Sequence, residues 1–278
     1  MIQKVLDIAS PLLFAAIGGL FSEITGTLNI ALEGFMLLGA FLCVSFSVLS
    51  GSFVLGMFAA LFGAVVFSLV FSYTVTELRT NIFISGLGVN LLIAGTVSLL
   101  SVALFHTKGV IRFTPEFVDQ SAQPIRIFTG LSLLLPVLAF IVIEKTSFGL
   151  RMRTAGYNPD ALAVRGVRPE TYTTFSLLIS GILAAGSGVL LSLNVGAYVP
   201  NISAGRGWIG LVLIYLGNKK PFGILVATLA FSAVTEIANM AQGLTSVSHT
   251  LILALPQGLS ILGLTIYAVS KRILEKHT

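Results

Sequence analysis

Long uncharged apolar runs dominate this chain, and they decide what it can fold into. A helix needs about 20 consecutive apolar residues to cross the hydrocarbon core of a bilayer. Runs of that kind stand at about 5–21, 28–50, 53–73, 82–105, 127–144, 172–194, 221–239 and 250–270, with a shorter one at 207–217. The 278 residues carry only 16 Lys and Arg and 11 Asp and Glu, or 10% charged. An average soluble domain carries roughly 25%. So few charges cannot give a chain of this size a polar skin, which excludes soluble enzymes, disordered proteins and nucleic-acid binders. Long alternating strands are absent, which argues against a β-barrel. Lipid offers no partner to a bare backbone, so the spans must be helical. The expected fold is all-α: a polytopic inner-membrane protein of about eight or nine transmembrane helices, forming one membrane domain over 1–278.

The basic residues fall in short gaps between the runs. The segment 145–171 holds Lys145, Arg151, Arg153, Arg165 and Arg168; Lys219 and Lys220 stand together; Arg79 lies in another gap; the tail holds Lys271, Arg272 and Lys276. Placing all four gaps on the cytoplasmic side follows the positive-inside bias. This works if 207–217 counts as a crossing, giving nine crossings with the N-terminus outside and the C-terminus inside. The loop 106–126, with Lys108, Arg112 and Arg126, then falls outside.

Two places carry helix-breaking sequence at membrane depth. One is Gly26-Thr27-Leu28-Asn29, flanked by Glu23 and Glu33; the other runs from Gly196 to Gly217 and includes Pro200, Gly205, Arg206, Gly207 and Gly210. Irregular backbone survives there only inside protein or along a cavity. Interrupted segments in both halves of a transporter point to its pathway. Asn29 and Glu33 are expected one turn apart on a shared helical face. That face could take hydrogen bonds from a polar substrate group, or from the backbone that the break frees. Asn90, mid-span in the fourth run, needs a partner of its own, across helices or along a pore. Asn29, Glu33, Asn90, Gly205, Arg206 and Trp208 are the candidate pathway residues.

The segment 145–171 is expected to stand out as a short cytoplasmic helix. Asn158 suits an N-cap, Pro159 the first helical position and Asp160 the positive helix end. Arg165 suits the last turn, and Gly166 a left-handed cap. A rod of about seven residues is marginal alone, so it is expected to dock. Arg151, Arg153, Asn158, Pro159, Asp160, Arg165 and Gly166 are the candidate surface for a soluble partner.

The chain holds no bond-making machinery that its sequence reveals. It has no G-x-x-x-x-G-K-[ST] phosphate loop. His106, His249 and His277 are isolated, and the single Cys43 lies in an apolar run. No metal site or cofactor is expected in this chain. A lone ion-coupled transporter would need ionisable relays within its spans, and Glu33 and Glu236 are the chief candidates.

Three stretches resemble the permease subunits of ABC importers, in the branch that handles branched-chain amino acids, simple sugars and nucleosides. The first is Gly26-Thr27-Leu28-Asn29-Ile30-Ala31-Leu32-Glu33-Gly34, with Met36 and Gly39-Ala40-Phe41. The second is Gly149-Leu150-Arg151-Met152-Arg153, then Ala155-Gly156-Tyr157-Asn158-Pro159-Asp160-Ala161, closing at Gly166. The third is Gly205-Arg206-Gly207-Trp208-Ile209-Gly210, then Pro221-Phe222-Gly223. Trp208 and Asn218-Lys219-Lys220 depart from the pattern around the third. The chain is most similar to the shorter permease of nucleoside importers fed by a lipoprotein of the basic-membrane-protein type; related systems carry riboflavin or sugars. The resemblance implies a homologous second permease in a heterodimer, two ATPase subunits that bind ATP and Mg, and an external substrate-binding lipoprotein. It implies that 145–171 is the coupling segment and that ATP hydrolysis occurs on another polypeptide.

Overall fold

A computed structural model describes residues 2–113, 122–241 and Thr265. Seven helices in it are long and apolar enough to cross a membrane. They are α1 (Ile2–Ile24), α2 (Leu32–Ser50), α3 (Phe53–Thr76), α4 (Ile82–Phe105), α5 (Ala122–Phe140, extended by a π turn over Ile141–Lys145), α8 (Pro169–Val195) and α10 (Pro221–Ala241). Shorter helices are α6 (Ser147–Tyr157), α7 (Pro159–Ala163) and α9 (Arg206–Leu216). The all-α expectation holds, and this is a multi-pass membrane protein. The run 250–270 and the tail lie outside the described residues.

Burial separates a centre from a rim. The apolar windows of α1, α2 and α8 are 78%, 72% and 78% buried, against 22–33% for α3, α4, α5 and α10. Small residues let the central helices touch. A side chain at Gly39 would run into the Ala185 backbone, and one at Gly188 into the Met36 carbonyl. Such small contacts are how helices associate where lipid is as apolar as leucine. Pro11, inside α1, leaves one carbonyl without its helical partner. That carbonyl is Asp7's, and it accepts from Asn194 Nδ2 of α8 at 3.4 Å; one turn on, the Pro11 carbonyl accepts from Ser187 Oγ of α8 at 2.6 Å.

Contacts fix the direction of each helix. α1 runs antiparallel to α8: Asn194 Nδ2 donates to the Asp7 carbonyl near one end, and Thr25 Oγ1 meets Ser176 Oγ near the other. α2 runs alongside α8, with Asn29 at Ser180 and Met36 at Gly188. α3 returns along α8, joined by Ser72 and Thr174. α9 runs alongside α1: Gly210 packs on Ala15, Ile214 on Gly19, and Lys219 Nζ reaches Glu23 Oε1 at 2.6 Å. α10 returns along α1, and Glu236 faces Lys4 at 3.8 Å. The first unit, α1–break–α2–α3, and the second, α8–break–α9–α10, therefore answer each other in inverted sense. This is the architecture of inverted transporter repeats. The two units share no evident sequence self-similarity.

One end of the bundle collects the basic gaps. Arg79 and Arg168 line one pocket there, and Lys145 and Lys220 another. The opposite end carries the α1 start and a two-residue antiparallel ladder, β1 (Ile111–Arg112) with β2 (Ala197–Tyr198). α9 has only 11 residues, about 16 Å of helix. The irregular backbone from Val199 to Gly205 supplies the remaining depth, so the segment from β2 to Lys219 runs from one end to the other. The helix near 207–217 is thus flanked by irregular backbone, as expected.

Three expectations need correction. The second span begins at Leu32, not Leu28, so Asn29 sits in the break and shares no helical face with Glu33. The short rod closes after five residues, Pro159–Ala163. Arg151 and Arg153 do not flank it freely but lie on a separate helix, α6. The backbone of 164–166 continues as turns, because Gly166 at φ +74° ends it.

Candidate functional site

The first break is held by side chains from two other helices. Past Ile24 the backbone turns at Gly26, φ +75°, a left-handed conformation that costs glycine little. Ser22 Oγ accepts from the Asn29 amide at 3.1 Å. Asn29, fully buried, donates from Nδ2 to Ser180 Oγ at 2.9 Å and accepts at Oδ1 from the Ala31 amide at 2.9 Å. From α4, Asn90 Nδ2 donates to the Ile30 carbonyl at 3.0 Å, and its Oδ1 accepts from the Gly34 amide at 2.7 Å. Both asparagines therefore replace backbone partners that the break removed, as irregular backbone at this depth requires. Ser22, Thr25, Ser176 and Ser180 belong to the same cluster and were not singled out in the sequence. Their signal is the hydroxyl spacing of three and four residues on two spans that face each other.

Asn90→Leu leaves the Gly34 N–H and the Ile30 carbonyl unpaired. Each such buried group costs about 1–3 kcal/mol. The variant is expected to melt at a clearly lower temperature in detergent, with Asn90→Asp, which keeps the acceptor, in between.

The second break converges on the first. Asn201, Ala204 and Gly205 all have positive φ, so the chain enters α9 through a strained turn. Glu33, in the first turn of α2, crosses to it. Its Oε1 accepts from the Gly205 amide and its Oε2 from the Gly207 amide, both at 2.8 Å. One carboxylate thus caps the N-terminus of α9, where the helix dipole favours negative charge. Both hydrogen bonds are charge-assisted, the stronger kind. Gly207 makes the approach possible: a Cβ there would stand 2.6 Å from the Glu33 Cα. Arg206 folds back onto the break, donating from Nη1 to the Ile202 and Ser203 carbonyls at 3.2 and 3.4 Å. Trp208 follows with 42% of its surface exposed. Five of the six pathway candidates therefore gather round the meeting of two helix starts, and Trp208 stands at its edge.

The segment 145–171 touches this assembly. Asn158 Oδ1 accepts from the Ala161 amide at 3.2 Å, capping α7, and Pro159 opens it. Leu162 is buried beneath, while Asp160 and Arg165 are exposed. Tyr157 and Val164, apolar and 94% and 89% exposed, form the tip. Arg151 Nη1 donates to Tyr172 Oη at 2.8 Å, and Arg153 pairs with Glu144 at 2.8 Å. These two arginines brace α6. At its C-terminal end, Gly156 packs against the first break: a Cβ there would meet the Ile24 carbonyl and the backbone of Thr25 and Gly26. A continuous path runs from the tip through Gly156 to the first break, and through Glu33 to the second. Among the described residues no group of three His, Cys, Asp or Glu side chains could hold a metal ion.

A family model described as branched-chain amino acid transport system / permease component matches residues 1–261. The nucleoside ABC transporter permease protein NupC of Lactococcus lactis is 29% identical, covering 86% of this chain and 81% of its own. The guanosine ABC transporter permease protein NupQ of Bacillus subtilis is 30% identical, covering 95% and 91%. A second Lactococcus lactis protein, the nucleoside ABC transporter permease protein NupB, is 25% identical over 70% of this chain and 53% of its own. No solved structure matches the chain.

Proposed function

Since the chain belongs to the branched-chain amino acid transport system permease family, we propose that it is one membrane-spanning subunit of an ATP-driven importer that carries nucleosides inward across the bacterial cytoplasmic membrane. The printed names of the two relatives matching most of its length support the nucleoside assignment. The occurrence of NupB beside NupC in one organism supports a second, homologous permease as partner. Two ATPase subunits bind ATP and Mg, so this chain needs no cofactor. A substrate-binding lipoprotein delivers substrate from outside.

The basic end faces the cytoplasm, in keeping with the positive-inside bias, and the N-terminus faces outward. The ATPase grips the tip at Tyr157, Asn158–Ala161 and Val164–Gly166. Closure of the ATPases moves α6 and α7, and Gly156 passes that displacement to the Gly26 turn. Glu33 then carries it into the start of α9. The observation that carries this mechanism is the Glu33 carboxylate shared by the Gly205 and Gly207 amides. Substrate binds the membrane pathway only weakly, because tight binding there would slow release. The same geometry speaks against a lone proton-coupled carrier: both Glu33 oxygens are committed to backbone, and Glu236 is buried beside Lys4.

The test is uptake of radiolabelled guanosine into proteoliposomes holding this chain, its second permease, the ATPase and the binding lipoprotein. ATP-dependent uptake, competed by nucleosides and not by riboflavin, sugars or amino acids, is expected. Uptake by this chain alone, driven by a proton gradient, would overturn the proposal.

A further inference from the structure

Where α5 ends and α10 begins, the basic end holds a cleft outside the path from tip to breaks. Phe140, Glu144, Lys145, Lys220, Phe222 and Gly223 line it around a volume of about 450 Å³. The rings of Phe140 and Phe222 form its floor, with centroids 5.4 Å apart. The Lys145 ammonium stands 5.8 Å above the Phe140 ring. Glu144, the only carboxylate in the lining, is taken by Arg153 at 2.8 Å. Among the described residues neither Lys145 nor Lys220 has an ion pair. The cleft therefore carries two uncompensated positive charges.

Its position selects the chemistry that answers them. Lys145 closes one apolar span and Lys220 immediately precedes another, so both ammoniums sit at headgroup level. The neighbouring surface is apolar and exposed: Val137, Leu138 and Ile141 on α5, and Phe222 and Val226 on α10. A soluble acidic partner would answer the charges and leave this apolar surface uncovered. A lipid answers both at once, phosphate on the ammoniums and acyl chain along the rings, and basic pockets between spans suit anionic headgroups. The π turn that ends α5 also sets two adjacent side chains apart, and π turns are frequent at functional sites. It separates Glu144, turned to Arg153, from Lys145, turned to Phe140.

We propose that the cleft between the π turn of α5 and the start of α10 binds one anionic phospholipid, its phosphate held by Lys145 and Lys220 and an acyl chain laid on Phe140 and Phe222. The full chain is purified in a neutral detergent and titrated with phosphatidylglycerol, phosphatidylcholine or inorganic phosphate, and bound lipid is counted by native mass spectrometry. One phosphatidylglycerol is expected to be retained in preference to phosphatidylcholine, undisplaced by millimolar phosphate. Each lysine near an anionic headgroup is worth roughly 5-fold in affinity. Lys220→Gln is then expected to weaken retention by about 5-fold and Lys145→Gln with Lys220→Gln by about 30-fold. Both lysines are exposed, so melting temperature should not change, and the single variant stands if the double one is poorly made. Equal retention in the double variant, or equal binding of phosphatidylcholine, would overturn the proposal. Displacement of the lipid by inorganic phosphate would overturn it too, by showing a free-anion site.

Discussion

Glu33→Ala is expected to cut ATP-driven uptake by about a hundredfold or more. The substitution removes two hydrogen bonds to a charged acceptor, each worth about 1.5–3 kcal/mol. At 1.4 kcal/mol per tenfold, their loss shifts the balance between clamped and released α9 by at least about two orders of magnitude. It also leaves the Gly205 and Gly207 amides facing an apolar methyl group. Glu33→Gln separates charge from shape: its one carbonyl oxygen serves one amide, while its NH₂ opposes the other. Uptake in that variant should fall between wild type and alanine. Glu33→Asp is shorter by one methylene and is expected to reach one amide only. Uptake into proteoliposomes, with melting temperature measured in parallel, separates loss of coupling from loss of fold. Wild-type uptake by Glu33→Ala would mean that the two breaks move independently.

Tyr157→Asp combined with Val164→Asp is expected to abolish co-purification with the ATPase while leaving the chain folded. Both residues are almost wholly exposed, and exposed substitutions away from special features stay within about ±0.5 kcal/mol of wild-type stability. In an interface the same positions act differently. An apolar anchor at the centre of a docking surface is worth about 2 kcal/mol or more. Two introduced carboxylates add the cost of desolvating charge. ATPase retained by pull-down should drop by at least about thirtyfold for a single lost anchor, and substrate-stimulated ATP hydrolysis should disappear with it. Unchanged co-purification would place the docking surface elsewhere. Asn158→Ala is the milder companion, because loss of an N-cap costs about 1 kcal/mol.

Much of this architecture was legible in the sequence because lipid imposes few solutions. Apolar run length gave the number and places of the described spans, and charge starvation gave their solvent. Both breaks were legible from glycine beside polar residues at membrane depth. The α7 cap was legible because Asn158 and Pro159 act locally. What was hidden depends on residues far apart in the chain. Glu33 meets Gly205 across 172 positions, and no local pattern announces such a partner. Asn29 and Glu33 seemed to share a face because a continuous helix was assumed through the break. Arg151 and Arg153 are legible as polar surface for a soluble partner, but not their contacts with Tyr172 and Glu144. The inverted units escaped sequence comparison because helices with the same role pack on different neighbours, and packing volume, not residue identity, is what each must match. The β1–β2 ladder is two residues long, too short to show a period.

The most direct measurement uses the chain's single cysteine as a silent background. Cys43 is fully buried, so Val164→Cys introduces the one thiol that a membrane-impermeant maleimide can reach. Labelling is compared in intact cells, in inverted vesicles stripped of ATPase, and in inverted vesicles with the ATPase rebound. The expected result is no labelling from outside the cell, full labelling of stripped inverted vesicles, and protection once the ATPase returns. Labelling of intact cells, or labelling of inverted vesicles that the ATPase leaves unchanged, would contradict a motor that grips this tip from the cytoplasm.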